Sequence, residues 1–278
     1  MLISSARAQT ASFGLRSDVV FTEYTPLSSL AELARRLYGP SAAQTGRTLQ
    51  GQPIDLTKER YSLYVPDSPR PPSAAYSLLV FIPPYPRAEV PRQWIPVFNR
   101  NNTIFITAAN SGNEATTVRR EALALVAAHN AMRQYNVDPQ HVYIGGFSGG
   151  ARIALRLALG YPDLFRGALL NAGSDPIGTA EVPLPPEDLF KRFQESTRLV
   201  YLTGERDEEN VVADMNSRRS LEKWCVFDVV TQTEPRTGHQ LADGFSLGRS
   251  LEALLSASQA PSNKLDACRN RLAKAHSM

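Results

Sequence analysis

Ser148 stands in Gly146-Phe147-Ser148-Gly149-Gly150, with the apolar run HVYIGGF entering and the helical pattern ARIALRLAL leaving. A serine hydroxyl is a poor nucleophile at neutral pH. It becomes a good one when a turn exposes it, a base takes its proton and donors receive the negative charge that follows. The G-x-S-x-G spacing supplies the turn. A serine between a strand and a helix must adopt a strained backbone angle for its Oγ to project above the sheet. Side chains two residues before and after would then collide with the adjoining elements, and Gly146 and Gly150 remove them. Gly149 follows the serine at the helix start, where N–H groups lack intrahelical partners and point at incoming negative charge. A phosphate-cradling glycine turn would look similar, but its lysine is absent and there is no G-x-G-x-x-G.

The base is found by elimination, because the chain has four histidines. His129 lies in a helical pattern, His141 precedes a strand, and His276 is next to the C-terminus. His239, in EPRTGHQLADGF, follows the strand-like CVFDVVTQ and precedes a helix. That puts it on a loop at the carboxyl edge of the sheet, where open α/β sheets bind their ligands. An orienting carboxylate is expected on the same edge, after the strand RLVYLTG. Asp207 is the choice in the run Glu205-Arg206-Asp207-Glu208-Glu209, with Asp175, after the preceding strand, as the alternative. Glu205, Glu208 and Glu209 read as solvated charges.

Positioning three such groups needs a scaffold. YSLLVFIP, NTIFITAA, HVYIGGF, GALLNAG and RLVYLTG are short apolar runs bounded by Gly, Pro or Asn, as strands buried on both faces would be. Helical patterns alternate with them, clearest in TTVRREALALVAAHNAMRQYNV. The alternation predicts an α/β fold with a mainly parallel sheet and helices on both faces. Upstream, SDVVFTEY reads as a strand and TPLSSLAELARRLYGP as a helix, with Ser29 and Glu32 spaced as a capping box and Gly39-Pro40 as its stop. ERYSLYVP alternates like a half-buried strand. The expected organisation is an N-terminal extension (1–60) packed on the main domain (61–257), then a helical tail (258–278). The proline-rich stretch 175–197 is either a cap over the site or a long crossover.

The order Ser148, Asp207, His239, with DPQHVYIGGFSGGARIAL, YLTGERD and TGHQ, resembles the α/β-hydrolase superfamily from about residue 76 to residue 256. Within it the chain looks like the polyhydroxybutyrate-depolymerase and feruloyl-esterase-like group. The resemblance implies carboxylic-ester hydrolysis through an acyl-enzyme, with those three residues as the triad and with no cofactor or metal. Members often carry a His-Gly pair that supplies the second oxyanion donor. Here the loop reads IPPYPRAEV, and the prolines at 83, 84 and 86 have no N–H. Tyr85 or Arg87 must serve instead, and Tyr85 is better centred, giving an expected oxyanion hole of the Gly149 and Tyr85 N–H groups. An amidase or peptidase with the same triad, or a hydrolase-fold binding protein, stays open.

Composition narrows the rest. Apolar residues make up 42% and charged residues 21%, which suits a globular core. The net charge of +3 is spread over scattered basic pairs, an unpromising footprint for nucleic acid. No apolar stretch is long enough to span a membrane. Cys225 and Cys268 have no metal-ligand spacing; they either pair or remain two thiols. The opening MLISSARAQTASFG contains an ARA triplet like a signal-peptide cleavage site but lacks the apolar core of one, so a cytoplasmic and a secreted location are both open. The expected partner is a small or polymeric ester. Oligomeric state is not readable.

Overall fold

The computed structural model describes residues 13–39, 51–67, 75–256 and 262–276. The N-terminal residues carrying the ARA triplet and Pro40 of the helix stop lie outside them. The described strands are β1 (Gly14–Val19), β2 (Tyr61–Val65), β3 (Tyr76–Ile82), β4 (Thr103–Ala108), β5 (Val137–Phe147), β6 (Gly167–Asn171), β7 (Arg198–Gly204) and β8 (Val229–Glu234). They form one sheet in the order β1-β2-β4-β3-β5-β6-β7-β8. From β4 to β8 every pairing is parallel, while β1 and β2 add to the β4 side antiparallel.

Both faces of the sheet are covered. On one side α1 (Leu30–Leu37), α3 (Thr117–Gln134), α4 (Gly149–Gly160), α5 (Glu187–Ser196) and α6 (Glu208–Lys223) pack against Leu78, Val80, Ile106, Ile144, Leu170 and Tyr201. On the other, α2 (Ile95–Asn101) and α7 (Gly244–Leu255) pack against Leu79, Phe81, Phe105, Tyr143, Leu169 and Leu202. Successive strand residues point to opposite faces, and both faces are dry, which is why these strands read as unbroken apolar runs.

Three sequence expectations shift. β2, expected to be half-buried, is buried at all five residues. Its polar positions are absorbed, since Ser62 Oγ donates to Ala88 O at 2.8 Å and the Tyr64 hydroxyl donates to Asn99 Oδ1 at 2.8 Å. β1 ends at Val19 rather than running through Tyr24, because Val19 pairs with Tyr61, the first residue of β2, and the ladder stops there. Phe21 then turns inward to pack on Tyr61 with ring centroids 4.7 Å apart. β5 begins at Val137, so His141 lies inside the strand, with its Nδ1 2.7 Å from Asp138 Oδ2.

The helix after β1 starts where the spacing places it, with Ser29 accepting from the Glu32 N–H. The Glu32 carboxylate does not return to Ser29; it takes hydrogen bonds from Arg35 and Arg36. Residues 175–197 connect β6 to its parallel neighbour β7, with Ile177, Val182 and Phe193 buried in the core. The C-terminal α8 (Ser262–His276) is tied to the end of α6 by a Cys225–Cys268 disulfide. Among the described residues no helix is long and apolar enough to cross a membrane.

Candidate active site

The carboxyl ends of β5, β7 and β8 converge, and each delivers one group. Ser148 follows β5 directly, with φ 55° and ψ −125°, a conformation that L-residues rarely hold. What enforces it is close packing on both sides. A Cβ on Gly146 would lie 2.6 Å from the Ala151 nitrogen, and one on Gly150 would lie 2.7 Å from the Ile82 carbonyl carbon. Gly173, at the end of the neighbouring strand, gives the third clearance, since its Cβ would come 2.9 Å from the Ser148 carbonyl carbon.

Asp207 occupies the N-cap of α6, where an aspartate normally caps backbone N–H groups with its own side chain. Here it makes no side-chain cap bond. Its carboxylate, 6% exposed, turns to His239, whose Nδ1 lies 2.7 Å from Oδ2. A buried carboxylate needs a donor, so Nδ1 carries the imidazole proton and Nε2 is left to accept. The Ser148 hydroxyl stands 2.9 Å from Nε2, in position to donate. Asp207, His239 and Ser148 thus form a continuous relay.

The loop carrying His239 is fastened to the β7 end by backbone hydrogen bonds. Glu205 N donates to Glu234 O at 2.9 Å, and Arg206 N to Thr237 O at 2.8 Å. Glu205 is exposed, as a solvated charge would be, and also accepts from the Arg236 N–H at 2.7 Å. Glu208 and Glu209 are exposed in the first turn of α6, where the helix dipole favours them. Phe147 is 9% exposed and stacks on the His239 ring with centroids 4.9 Å apart, so it packs beneath the elbow and also props the imidazole.

Asp175, the alternative carboxylate, is turned away. Its side chain pairs with Arg152, which also donates to Ser174 O at 2.9 Å. The neighbouring Ser174 hydroxyl donates to Asp214 at 2.6 Å, and Thr203 donates to the other Asp214 oxygen at 2.5 Å. Burial pushes the Asp214 carboxyl above the usual range against the pull of those two donors.

Two positioning residues escape the motif. Asn210 Nδ2 donates to both Asp207 oxygens, at 2.9 and 3.0 Å. Asn171, the last residue of β6, accepts from Ser148 N through its backbone oxygen at 2.8 Å and from Ala242 N through Oδ1 at 2.9 Å. It therefore joins the serine turn to the histidine loop. Asn210 was within reach of sequence reasoning, one helical turn after Asp207. Asn171 carried no signal beyond a polar residue closing an apolar run.

On the β3 side, the Gly149 and Tyr85 N–H groups have no partner among the described residues. Gly149 lines one groove of about 570 Å³ with Asn113, Arg120 and Arg152; Tyr85 lines another of about 560 Å³ with Leu241 and Val90. No group of three or more His, Cys, Asp or Glu among the described residues is placed to hold a metal.

No family model matches the chain. A protein named as an esterase, NocK of Nocardia uniformis subsp. tsuyamanensis, is 51% identical over 58 residues, which is 19% of this chain and 17% of NocK. Among solved structures, S-formylglutathione hydrolase FrmB from Staphylococcus aureus superposes with a TM-score of 0.56 at 13% identity, over 71% of this chain and 93% of that one. A puromycin-hydrolyzing peptidase of Mycobacterium tuberculosis gives 0.53 at 17% identity over 78% of this chain, which spans only 37% of the peptidase. With its sheet order, its covered faces and these neighbours, the chain has the α/β-hydrolase fold.

Proposed function

We propose that the chain is a cofactor-free serine hydrolase of carboxylic esters, working through an acyl-enzyme. The observation that carries this reading is the relay from Asp207 through His239 to Ser148, with steps of 2.7 and 2.9 Å on a strained turn. Ser148 Oγ attacks the ester carbonyl while His239 Nε2 takes its proton. Asp207 holds the tautomer and stabilises the imidazolium, itself steadied by Asn210. The new alkoxide rests on the Gly149 and Tyr85 N–H groups. Collapse expels the alcohol, protonated by His239. Water then enters by the same route, His239 acting as base, and frees the acid.

NocK is named as an esterase and FrmB as a hydrolase of S-formylglutathione, a thioester, beside the peptidase that also superposes. A ferulic acid esterase also superposes, with a TM-score of 0.50, in keeping with the feruloyl-esterase-like resemblance. On this reading residues 61–257 are the catalytic unit, and the described residues 13–39, 51–60 and 262–276 lie outside it. The His239 side chain is 43% exposed, so the relay is open to a bulky or polymeric ester as well as a small one. The test is fluorophosphonate labelling together with p-nitrophenyl ester turnover. Both signals are expected from the wild-type chain and neither from Ser148→Ala. A chain without Ser148-dependent turnover is not an enzyme of this class, and a matched peptide cleaved faster than its ester would make it a peptidase.

A further inference from the structure

The loop after β3 has the task of presenting one N–H, yet it is built from residues that cannot fasten themselves. Prolines 83, 84 and 86 have no N–H to donate. Their carbonyls are what the structure holds. Pro84 O accepts from Asn113 N at 2.9 Å, and Pro86 O from Asn110 N at 2.6 Å. Pro83 O accepts from Nη2 of Arg120 at 3.2 Å, and Nε of the same guanidinium donates to Ser111 O at 2.9 Å.

Arg120 is unusual for its surroundings. It sits in the first turn of α3 with 5% exposure, and no carboxylate lies within 4.0 Å of it among the described residues. Burial lowers its guanidinium from the ordinary value, with Glu114 and Glu121 acting the other way from a distance. A buried cation without an ion-pair partner is costly, and here its donors serve two backbone carbonyls from two different loops. Gly112 closes the joint, since a Cβ there would lie 2.7 Å from the Tyr85 carbonyl carbon and 2.9 Å from the Pro86 nitrogen.

We propose that Arg120 is a positioning residue for the oxyanion hole. Its planar fork clamps the 83–87 loop to the 110–113 loop, and the clamp aims the Tyr85 N–H at the space above Ser148. A guanidinium suits this because its donors are fixed in one plane, whereas a lysine offers a single mobile centre. The inference rests on the serine-hydrolase reading and deepens it. It also explains how a proline-rich loop serves where the resemblance leads one to expect a His-Gly pair.

The test compares wild type, Arg120→Met, Arg120→Lys and Gly112→Ala, all counted by active-site titration. Two readouts are p-nitrophenyl acetate turnover and inhibition by 1,1,1-trifluoro-2-hexanone, which adds Ser148 Oγ to its carbonyl and mimics the oxyanion. Each variant is expected to lose about 10- to 100-fold in kcat with KM little changed, the scale for a displaced oxyanion donor. Affinity for the trifluoroketone should fall in the same proportion. A merely structural arginine would lower Tm and the fraction of titratable sites while leaving both readouts per site at wild-type values. That result, or an Arg120→Lys chain as fast as wild type, overturns the clamp. If Arg120→Met does not fold, Arg120→Lys decides, because it keeps the charge and removes the fork, while Gly112→Ala calibrates how far a displaced Tyr85 lowers both readouts. A wild-type chain that neither labels nor turns over would instead overturn the hydrolase reading, and the clamp with it.

Discussion

Gly150→Ala tests whether the serine turn is held by packing against β3. The added Cβ would lie 2.7 Å from the Ile82 carbonyl carbon and closer still to its oxygen, where ordinary contact begins at 3.4 Å. Those atoms are backbone in a central strand and cannot rotate aside. The turn must therefore retreat from β3 by at least about 0.7 Å, carrying the Gly149 N–H away from Tyr85. Overpacking of this kind costs about 1–3 kcal/mol, a fall in Tm of about 2–12 °C for a chain of this size. Displacing a catalytic group by about 1 Å costs on the order of 100-fold in rate, so kcat should fall much further than stability. The assay is p-nitrophenyl acetate turnover per titrated site beside a thermal melt. Gly145→Ala is the control: its Cβ would meet Leu169 Cβ and Leu79 Cδ1 at 3.3 Å and the Leu169 carbonyl oxygen at 3.4 Å, all within about 0.1 Å of ordinary contact. A Gly150→Ala chain with wild-type kcat per site, or a Gly145→Ala chain equally impaired, would refute the packing argument.

Other perturbations separate neighbouring roles. Asp207→Asn should lower kcat by about 10,000-fold through the wrong imidazole tautomer, while Asp175→Asn, which only releases Arg152, leaves initial rates near wild type. Asn171→Leu strands the buried Ala242 N–H, so a loss of about 1–3 kcal/mol in urea unfolding is expected with a drop in kcat as the histidine loop loosens. Cys268→Ser opens a cross-link across 43 residues, which the chain-entropy model values at about 4 kcal/mol, and kcat should not change because the bond lies away from the relay. The hydrogen bond from Arg35, with Arg36 beside it, holds the Glu32 carboxyl at about 2, below its ordinary 4.5. A depressed carboxyl stabilises the fold above its unfolded value and loses that effect as pH falls through the folded one. The urea-midpoint gap between wild type and Glu32→Gln should therefore be full at neutral pH, shrink below about pH 4.5 and close near pH 2.

The parallel core was legible because its strands are covered on both faces and so cannot disguise themselves as alternating patterns. β2 misled for a related reason. Ser62 looked like a solvent-facing position, but burial follows what covers a strand, and the 83–90 loop covers this one and accepts its hydroxyl. No local pattern in YSLYV reports the path of a loop more than twenty residues downstream. The end of β1 was hidden in the same way, since Phe21 turns inward to meet Tyr61, a partner distant in sequence. The two cysteines were counted but not paired, because pairing depends on where α8 returns.

The relay was legible for a different reason: its chemistry demands scarce residue types at fixed structural stations. Few histidines, and only Asp207 and Asp175 as strand-end aspartates in the right order, left little choice. The groups that aim the relay were not, because they act through backbone atoms whose partners any residue could supply. Asn171 uses its own carbonyl toward Ser148, Arg120 reaches two carbonyls, and the three prolines of the loop contribute acceptors alone. A motif records the side chains that react. The proposed oxyanion hole rests instead on what is missing: three N–H groups at the prolines, and the Cβ atoms of Gly112, Gly146 and Gly150. Read that way, IPPYPR is compatible with a donor site. Its prolines remove competing donors and stiffen the loop, so Tyr85 has few other conformations to adopt once Arg120 and the 110–113 loop hold the carbonyls around it.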